Sequence, residues 1–158
     1  MRLKGKTAIV TGAASGMGAS TAEIFASQGA RVVLTDILET EGAEVTERIC
    51  GAGGHAQFFV HDVTSESDWE KVVSGTVSAY GQVDILINNA GVSGSHPDLL
   101  NTETWDQQMS INARGVFLGM RAVIPLMQGS GGGSIVNTSS ISGVTGQSFV
   151  HMGFNAAK

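Results

Sequence analysis

The chain has 158 residues, 42% of them hydrophobic and 15% charged, with a mean hydropathy of +0.13, so a disordered chain is excluded and a single folded domain over residues 1–158 is expected. A formal charge of −5 and a pI near 5.2 argue against nucleic-acid and membrane partners, and the lone Cys50 excludes a disulfide framework and a multi-cysteine metal site. No apolar run approaches the ~20 residues of a membrane span and no signal-peptide core is present, so a reducing, cytoplasmic setting is expected.

Glycine is the outlier at 22 of 158 residues, about twice the usual share of roughly 7%. Such a load in an apolar chain suggests tight turns and close backbone approaches.

In chain order, KTAIVT (Lys6–Thr11), RVVLTD (Arg31–Asp36), QFFVHD (Gln57–Asp62), VDILIN (Val83–Asn88) and SIVNT (Ser134–Thr138) read as strands. Their near-continuous hydrophobicity fits a parallel sheet covered on both faces. Helices are expected over Gly16–Gln28, Glu39–Cys50, Ser67–Tyr80 and Thr102–Gln128.

In the third helix Trp69, Val72, Val73, Thr76, Val77 and Tyr80 form one stripe, Ser67 with Glu70 offers a capping box, and Gly81 is the stop. On the fourth, Trp105, Met109, Val116, Met120, Val123 and Met127 form an apolar stripe that contains Asn112, whose amide must find partners there. The stretch Gly129–Ser134 has a linker's composition but leads into the fifth strand, and is read as a helix-to-strand loop.

Alternating strands and helices predict an α/β, doubly wound parallel sheet of right-handed βαβ units, and the order 3-2-1-4-5 is expected for it. The fifth strand is then an apolar edge and a helix has just begun at Phe154–Lys158, so the fold reads as truncated after the fifth strand.

The first strand runs into Thr11-Gly12-Ala13-Ala14-Ser15-Gly16-Met17-Gly18 and then a helix. Gly12 suits a tight turn, Gly16 a backbone that approaches a pyrophosphate, and Gly18 close helix–strand packing, with the helix N-terminus facing the anion. The spacing is G-x-x-x-G-x-G, not the commoner G-x-G-x-x-G. Asp36 ends the second strand, where a carboxylate accepts from ribose hydroxyls and repels a 2′-phosphate, and no Arg or Lys lies among Ala13–Met17. NAD is therefore expected over NADP. Asp62 suits either an adenine contact or a turn.

With these motifs in order, together with NNAG at Asn88–Gly91, Asn112, SIVNTSS at Ser134–Ser140 and FNAAK at Phe154–Lys158, the chain resembles the classical subfamily of short-chain dehydrogenases/reductases along its whole length. The resemblance implies a Rossmann-type NAD-binding domain whose further strands and substrate lid lie beyond this chain. It implies a cofactor site at Gly12, Ser15, Gly16, Met17, Gly18, Asp36, Asp62, Val63, Asn89, Ala90, Gly91 and Lys158; Asn88 itself is read as a sheet-stabilising side chain.

It also implies a catalytic set of Asn112, Ser140, position 154 and Lys158. In that set lysine holds the nicotinamide ribose and lowers a tyrosine pKa, tyrosine moves the proton, serine places the substrate oxygen, and asparagine supports a water relay. Ser140 is preferred to Ser139, which suits local backbone capping better.

Two departures stand out. Phe154 occupies the tyrosine position and has no ionisable hydroxyl, and it lies fourteen residues after Ser140, one more than usual in the family. His151, three residues earlier, is read as a pocket-lining or solvated loop histidine, not a substitute base. His55, His61 and His96 show no ligand spacing, so no metal is expected.

The expected function is an NAD-dependent oxidoreductase scaffold for a secondary alcohol or ketone, impaired by Phe154. The alternative is a catalytically silent NAD-binding or interaction module. A small-molecule alcohol is the expected partner, and the family resemblance implies a homo-oligomer, tetramer or dimer, at full length. Val144, Phe149, Val150 and Met152 suggest an apolar substrate pocket.

Overall fold

A computed structural model describes all residues, Met1–Lys158. Its elements are β1 (Thr7–Thr11), α1 (Gly16–Ser27), β2 (Arg31–Asp36), α2 (Glu39–Gly51), β3 (His55–Val60), α3 (Glu66–Tyr80) and β4 (Ile85–Asn88). There follow α4 (Thr102–Gln108), a π-helical turn (Met109–Arg114), α5 (Gly115–Gly129), β5 (Ser134–Asn137), a 3₁₀ turn (Ile141–Gly143) and α6 (Met152–Ala157). All strand pairs are parallel, and the sheet order is β3-β2-β1-β4-β5, the order expected.

Successive residues of the central strands feed opposite faces, because side chains alternate along a strand. Val10, Val32, Leu34 and Ile87 pack with Ala22 and Ala26 of α1 and Val45 and Ile49 of α2. Their neighbours Ile9, Val33 and Leu86 pack with Trp69 and Val72 of α3 and Leu118, Val123 and Met127 of α5. The chain leaves β1 toward β2 on one side and reaches β4 on the other. A crevice therefore opens above the carboxyl ends of β1 and β4, the usual place for a ligand in such a sheet.

Two local expectations are corrected. The third strand is His55–Val60, two residues earlier than expected, because parallel pairing with β2 sets its register, from Arg31↔His55 to Asp36↔Val60. The cap of α3 is Ser65, not Ser67: its hydroxyl accepts from Asp68 N at 3.2 Å. Gly81 does end that helix, at φ +82°.

The long fourth helix is interrupted by the π-helical turn, which rotates its buried face. Gln108, Asn112, Gly115, Gly119, Val123 and Met127 face the core, whereas Trp105 is 39% exposed. A Cβ on Gly119 would lie 2.9 Å from Trp69, so small residues let α5 approach α3 and mark a core face that apolar periodicity overlooks. The outer side of β5 is unpaired and Val136 is half-exposed. No helix is long and apolar enough to cross a membrane.

Candidate active site

The crevice above β1 and β4 holds a cleft of about 490 Å³ whose walls include Gly12, Ser15–Met17, Asp36, Asp62–Val63 and Asn89–Gly91. Nearly the whole expected cofactor set is thus brought together, with no Arg or Lys in the walls.

Gly12 is left-handed at φ +65°, and a Cβ there would lie 2.8 Å from Ala90 Cα. A Cβ on Gly18 would collide with the Gly12 carbonyl and lie 2.7 Å from Asn89 Nδ2. Both glycines let α1, β1 and the loop after β4 converge. Ser15 caps α1 through backbone conformation alone, its side chain making no capping bond, and the first turn carries no acid. The first N–H groups of α1 therefore keep their donor capacity and dipole for an anion.

Asp36 Oδ2 accepts from Ala14 N at 3.0 Å and Oδ1 from Leu38 N at 3.1 Å, which aims the carboxylate at the glycine loop. Each oxygen retains lone-pair capacity for a further donor. Asp62 Oδ1 closes a turn by accepting from Thr64 N and Oγ1 at 2.9 and 2.8 Å, which favours its turn role. Asn88 Nδ2 donates to Asn137 Oδ1 at 2.9 Å and joins β4 to β5, the sheet-stabilising role expected of it. Asn89 Nδ2 donates to the Thr11 and Gly12 carbonyls at 3.0 and 3.2 Å.

Asn112 is buried in the π-helical turn. Its Oδ1 accepts from Val92 N at 2.9 Å and its Nδ2 donates to Val92 O at 3.1 Å and to Gln108 Oε1. Lys158 Nζ donates to Thr138 O at 3.2 Å, and burial lowers its pKa below the ordinary lysine value. Asn112 Oδ1 and Lys158 Nζ converge on Gly91, where a Cβ would lie 2.7 and 3.2 Å from them. Lys158 Nζ is 5.9 Å from the centre of the Phe154 ring.

Phe154 and Ser140 line a second cleft of about 370 Å³. The capping hydroxyl belongs to Ser140, not Ser139 as expected. Ser140 Oγ accepts from Ser142 N at 3.2 Å, while Ser139 Oγ donates to the Lys158 carbonyl at 2.6 Å. The apolar pocket is corrected too: Phe149 and Val150 line this cleft, Val144 and Met152 do not, and the remaining wall is largely serine. His151 is neither solvated nor pocket-lining. It is fully buried and caps α6, with Nδ1 accepting from Gly153 N and Nε2 donating to Asn101 O, both at 3.0 Å.

Two residues escaped sequence reasoning. Gln108 is 1% exposed and donates to Ser93 O at 2.6 Å while accepting from Asn112. Its place one helical turn before Asn112, on the same face, was the available signal. His61 is buried beneath the cofactor cleft, with Nδ1 2.9 Å from Thr35 Oγ1 and its ring edge-on to Trp69 at 4.4 Å. Burial lowers its pKa to about 4, outweighing the attraction of Asp68 and Asp62.

A doubly wound parallel sheet with a glycine-rich loop and an acid at the end of β2 defines a fold of the Rossmann type. The family model described as short chain dehydrogenase matches residues 6–158, and the chain belongs to that family.

It is 42% identical over 153 residues to trans-4-hydroxycyclohexanecarboxylate dehydrogenase of Sinomonas cyclohexanicum, an alignment covering 92% of this chain and 58% of that protein. It is also 42% identical over 159 residues to a 3-alpha-(or 20-beta)-hydroxysteroid dehydrogenase of Mycobacterium bovis, covering 99% and 59%. The chain therefore spans under two thirds of the length of these relatives.

A crystal structure of a short-chain dehydrogenase/reductase from Burkholderia xenovorans superposes with a TM-score of 0.93 at 36% identity, covering 99% of this chain and 64% of that one. A metagenomic short-chain oxidoreductase in complex with NADP superposes at 0.92 and 33% identity, covering 100% and 72%.

Proposed function

We propose that this chain binds NAD(H) and carries the site of an oxidoreductase acting on a cyclic secondary alcohol or the matching ketone. The carrying observation is the 490 Å³ cleft, which presents a helix N-terminus without side-chain cap or acid, the carboxylate of Asp36, and no cationic side chain. These features fit a dinucleotide: the N–H groups of α1 for the pyrophosphate, Asp36 for the adenosine ribose hydroxyls, and no cation for a 2′-phosphate. The names of the two relatives concern ring alcohols, a hydroxycyclohexane acid and hydroxysteroids, which supports a cyclic substrate.

When bound, the nicotinamide supplies or accepts the hydride. Lys158 would hold the nicotinamide ribose, a role supported by its bond to Thr138 O and its approach to Gly91. Asn112 fixes the Val92 backbone beside it. Ser140 offers its hydroxyl to the substrate oxygen in the cleft it shares with Phe154. Phe154 has no proton to exchange with that oxygen, so the chain binds cofactor and substrate but turns over slowly. The same residue supports the second reading, a silent NAD-binding module.

Fluorescence titration with NADH and NADPH tests the proposal. NADH binds more tightly, and Asp36→Ser erodes the difference. Equal affinity for the two cofactors in the parent chain refutes the role of Asp36.

A further inference from the structure

We infer that the second cleft takes an uncharged cyclic polyol, in which the reacting hydroxyl is accompanied by at least one more. The inference rests on the oxidoreductase reading for which hydroxyl reacts, but not for what the cleft binds. Ser93, Ser95, Ser140, Ser142 and Gln147 form its polar side, and no ionisable side chain lines it. A charged substrate would give up hydration there without a counter-charge. At about 370 Å³ the cleft lies within the ~300–1,000 Å³ range of small-molecule sites.

The serine wall is anchored at both ends. Gln108, buried among α4, the π-helical turn and α6, donates to Ser93 O at 2.6 Å and is itself held by Asn112. His151 N donates to Gly94 O at 2.9 Å, and Gly94 packs so closely that a Cβ there would lie 2.6 Å from Phe154 Cβ. The Ser93 and Gly94 carbonyls are therefore held, while the hydroxyls of Ser93 and Ser95 have no partner in the chain. Across the cleft, Ser142 Oγ donates to Gln147 Oε1 at 2.7 Å, leaving Gln147 Nε2 as a free donor.

Val150 and Phe154 pack over Gly94, and Phe149, 74% exposed, continues the apolar surface. A saturated ring lays its C–H face on such a surface while its hydroxyls meet the serines. A ring alcohol with one hydroxyl would cover Ser93 and Ser95 without replacing their water. Sites built to bond a hydroxyl discriminate strongly against the analogue that lacks it.

The test titrates the chain with cis-1,2-cyclohexanediol, cyclohexanol and cyclohexanecarboxylate, with and without NAD, by calorimetry and saturation-transfer NMR. The diol is expected to bind about tenfold more tightly than cyclohexanol, the order of one or two net hydrogen bonds, and the carboxylate no better than cyclohexanol. Replacing both serines, Ser93→Ala with Ser95→Ala, brings the diol down to the affinity of cyclohexanol without altering NAD affinity. Should that double replacement lower the melting temperature, Gln147→Ala removes the opposite donor and is read in the same way.

Equal binding of the three ligands, a preference for the carboxylate, absence of any alcohol binding, or a diol advantage that survives the replacements overturns the inference. A diol preference without NAD binding upholds it and overturns the oxidoreductase reading instead.

Discussion

His61 makes folding stability sensitive to mild acid. Its imidazole is 1% exposed, packed between Thr35 and Trp69, and Nε2 has no partner in the chain, so a proton added there in the folded protein meets no acceptor of the chain. The folded pKa of about 4, against an ordinary 6.5, means that the unfolded chain takes up the proton first as pH falls. The native state binds fewer protons between these values, so stability is fully present above pH 6.5, declines through the interval, and is level again below pH 4. At 1.36 kcal/mol per pH unit the interval corresponds to about 3 kcal/mol, a large part of a typical domain's stability.

The assay is urea unfolding of the parent chain and of His61→Gln at intervals from pH 8 to pH 4. Glutamine removes the titrating group, so the stability of that variant declines less by about 3 kcal/mol across the window. Asp84, whose carboxylate is held below its ordinary pKa by bonds from Thr7 N, Gln82 and Lys6 despite its burial, loses its contribution in both proteins and cancels in the difference. Parallel curves for the two proteins would refute the reasoning.

Asn112→Leu leaves Val92 N–H, Val92 O and Gln108 Oε1 unpaired near the cleft and lowers stability by at least ~2 kcal/mol, read by chemical denaturation. Gly18→Ala drives a methyl group toward the Gly12 carbonyl, costing ~1–3 kcal/mol in stability. The accompanying shift of the loop weakens NADH binding about tenfold, seen in the same fluorescence titration. Phe154→Tyr supplies a phenolic oxygen that can take up the alcohol proton and raises NAD-linked alcohol oxidation at least ~10²-fold, followed by NADH absorbance; an unchanged rate would mean that position 154 does not exchange the proton.

Much of this protein is legible without coordinates. The β-branched runs of β1, β2 and β4, the helical stripe from Trp69 to Tyr80, and glycines at Gly12, Gly16 and Gly18 report local demands: strand propensity, amphipathic period and backbone space. Each is written at the residue where it acts, and their alternation along the chain marks a doubly wound parallel sheet. The acid of Asp36 at a strand end is readable for the same reason.

What only the tertiary structure decided are pairings between distant segments. The start of β3 is set by Arg31 across the sheet, and the buried face of α5 by the π-helical turn and by glycines that admit Trp69. His151 becomes a cap because the Asn101 carbonyl, fifty residues away, accepts a hydrogen bond from its Nε2–H and leaves Nδ1 to accept from Gly153 N. Gln108 becomes the tie between Asn112 and Ser93, and the pocket read as apolar gains its serine wall. Hydrogen bonds of buried polar groups must be satisfied by whichever partner the fold brings near, and that partner is fixed by packing rather than by neighbouring residues in the chain.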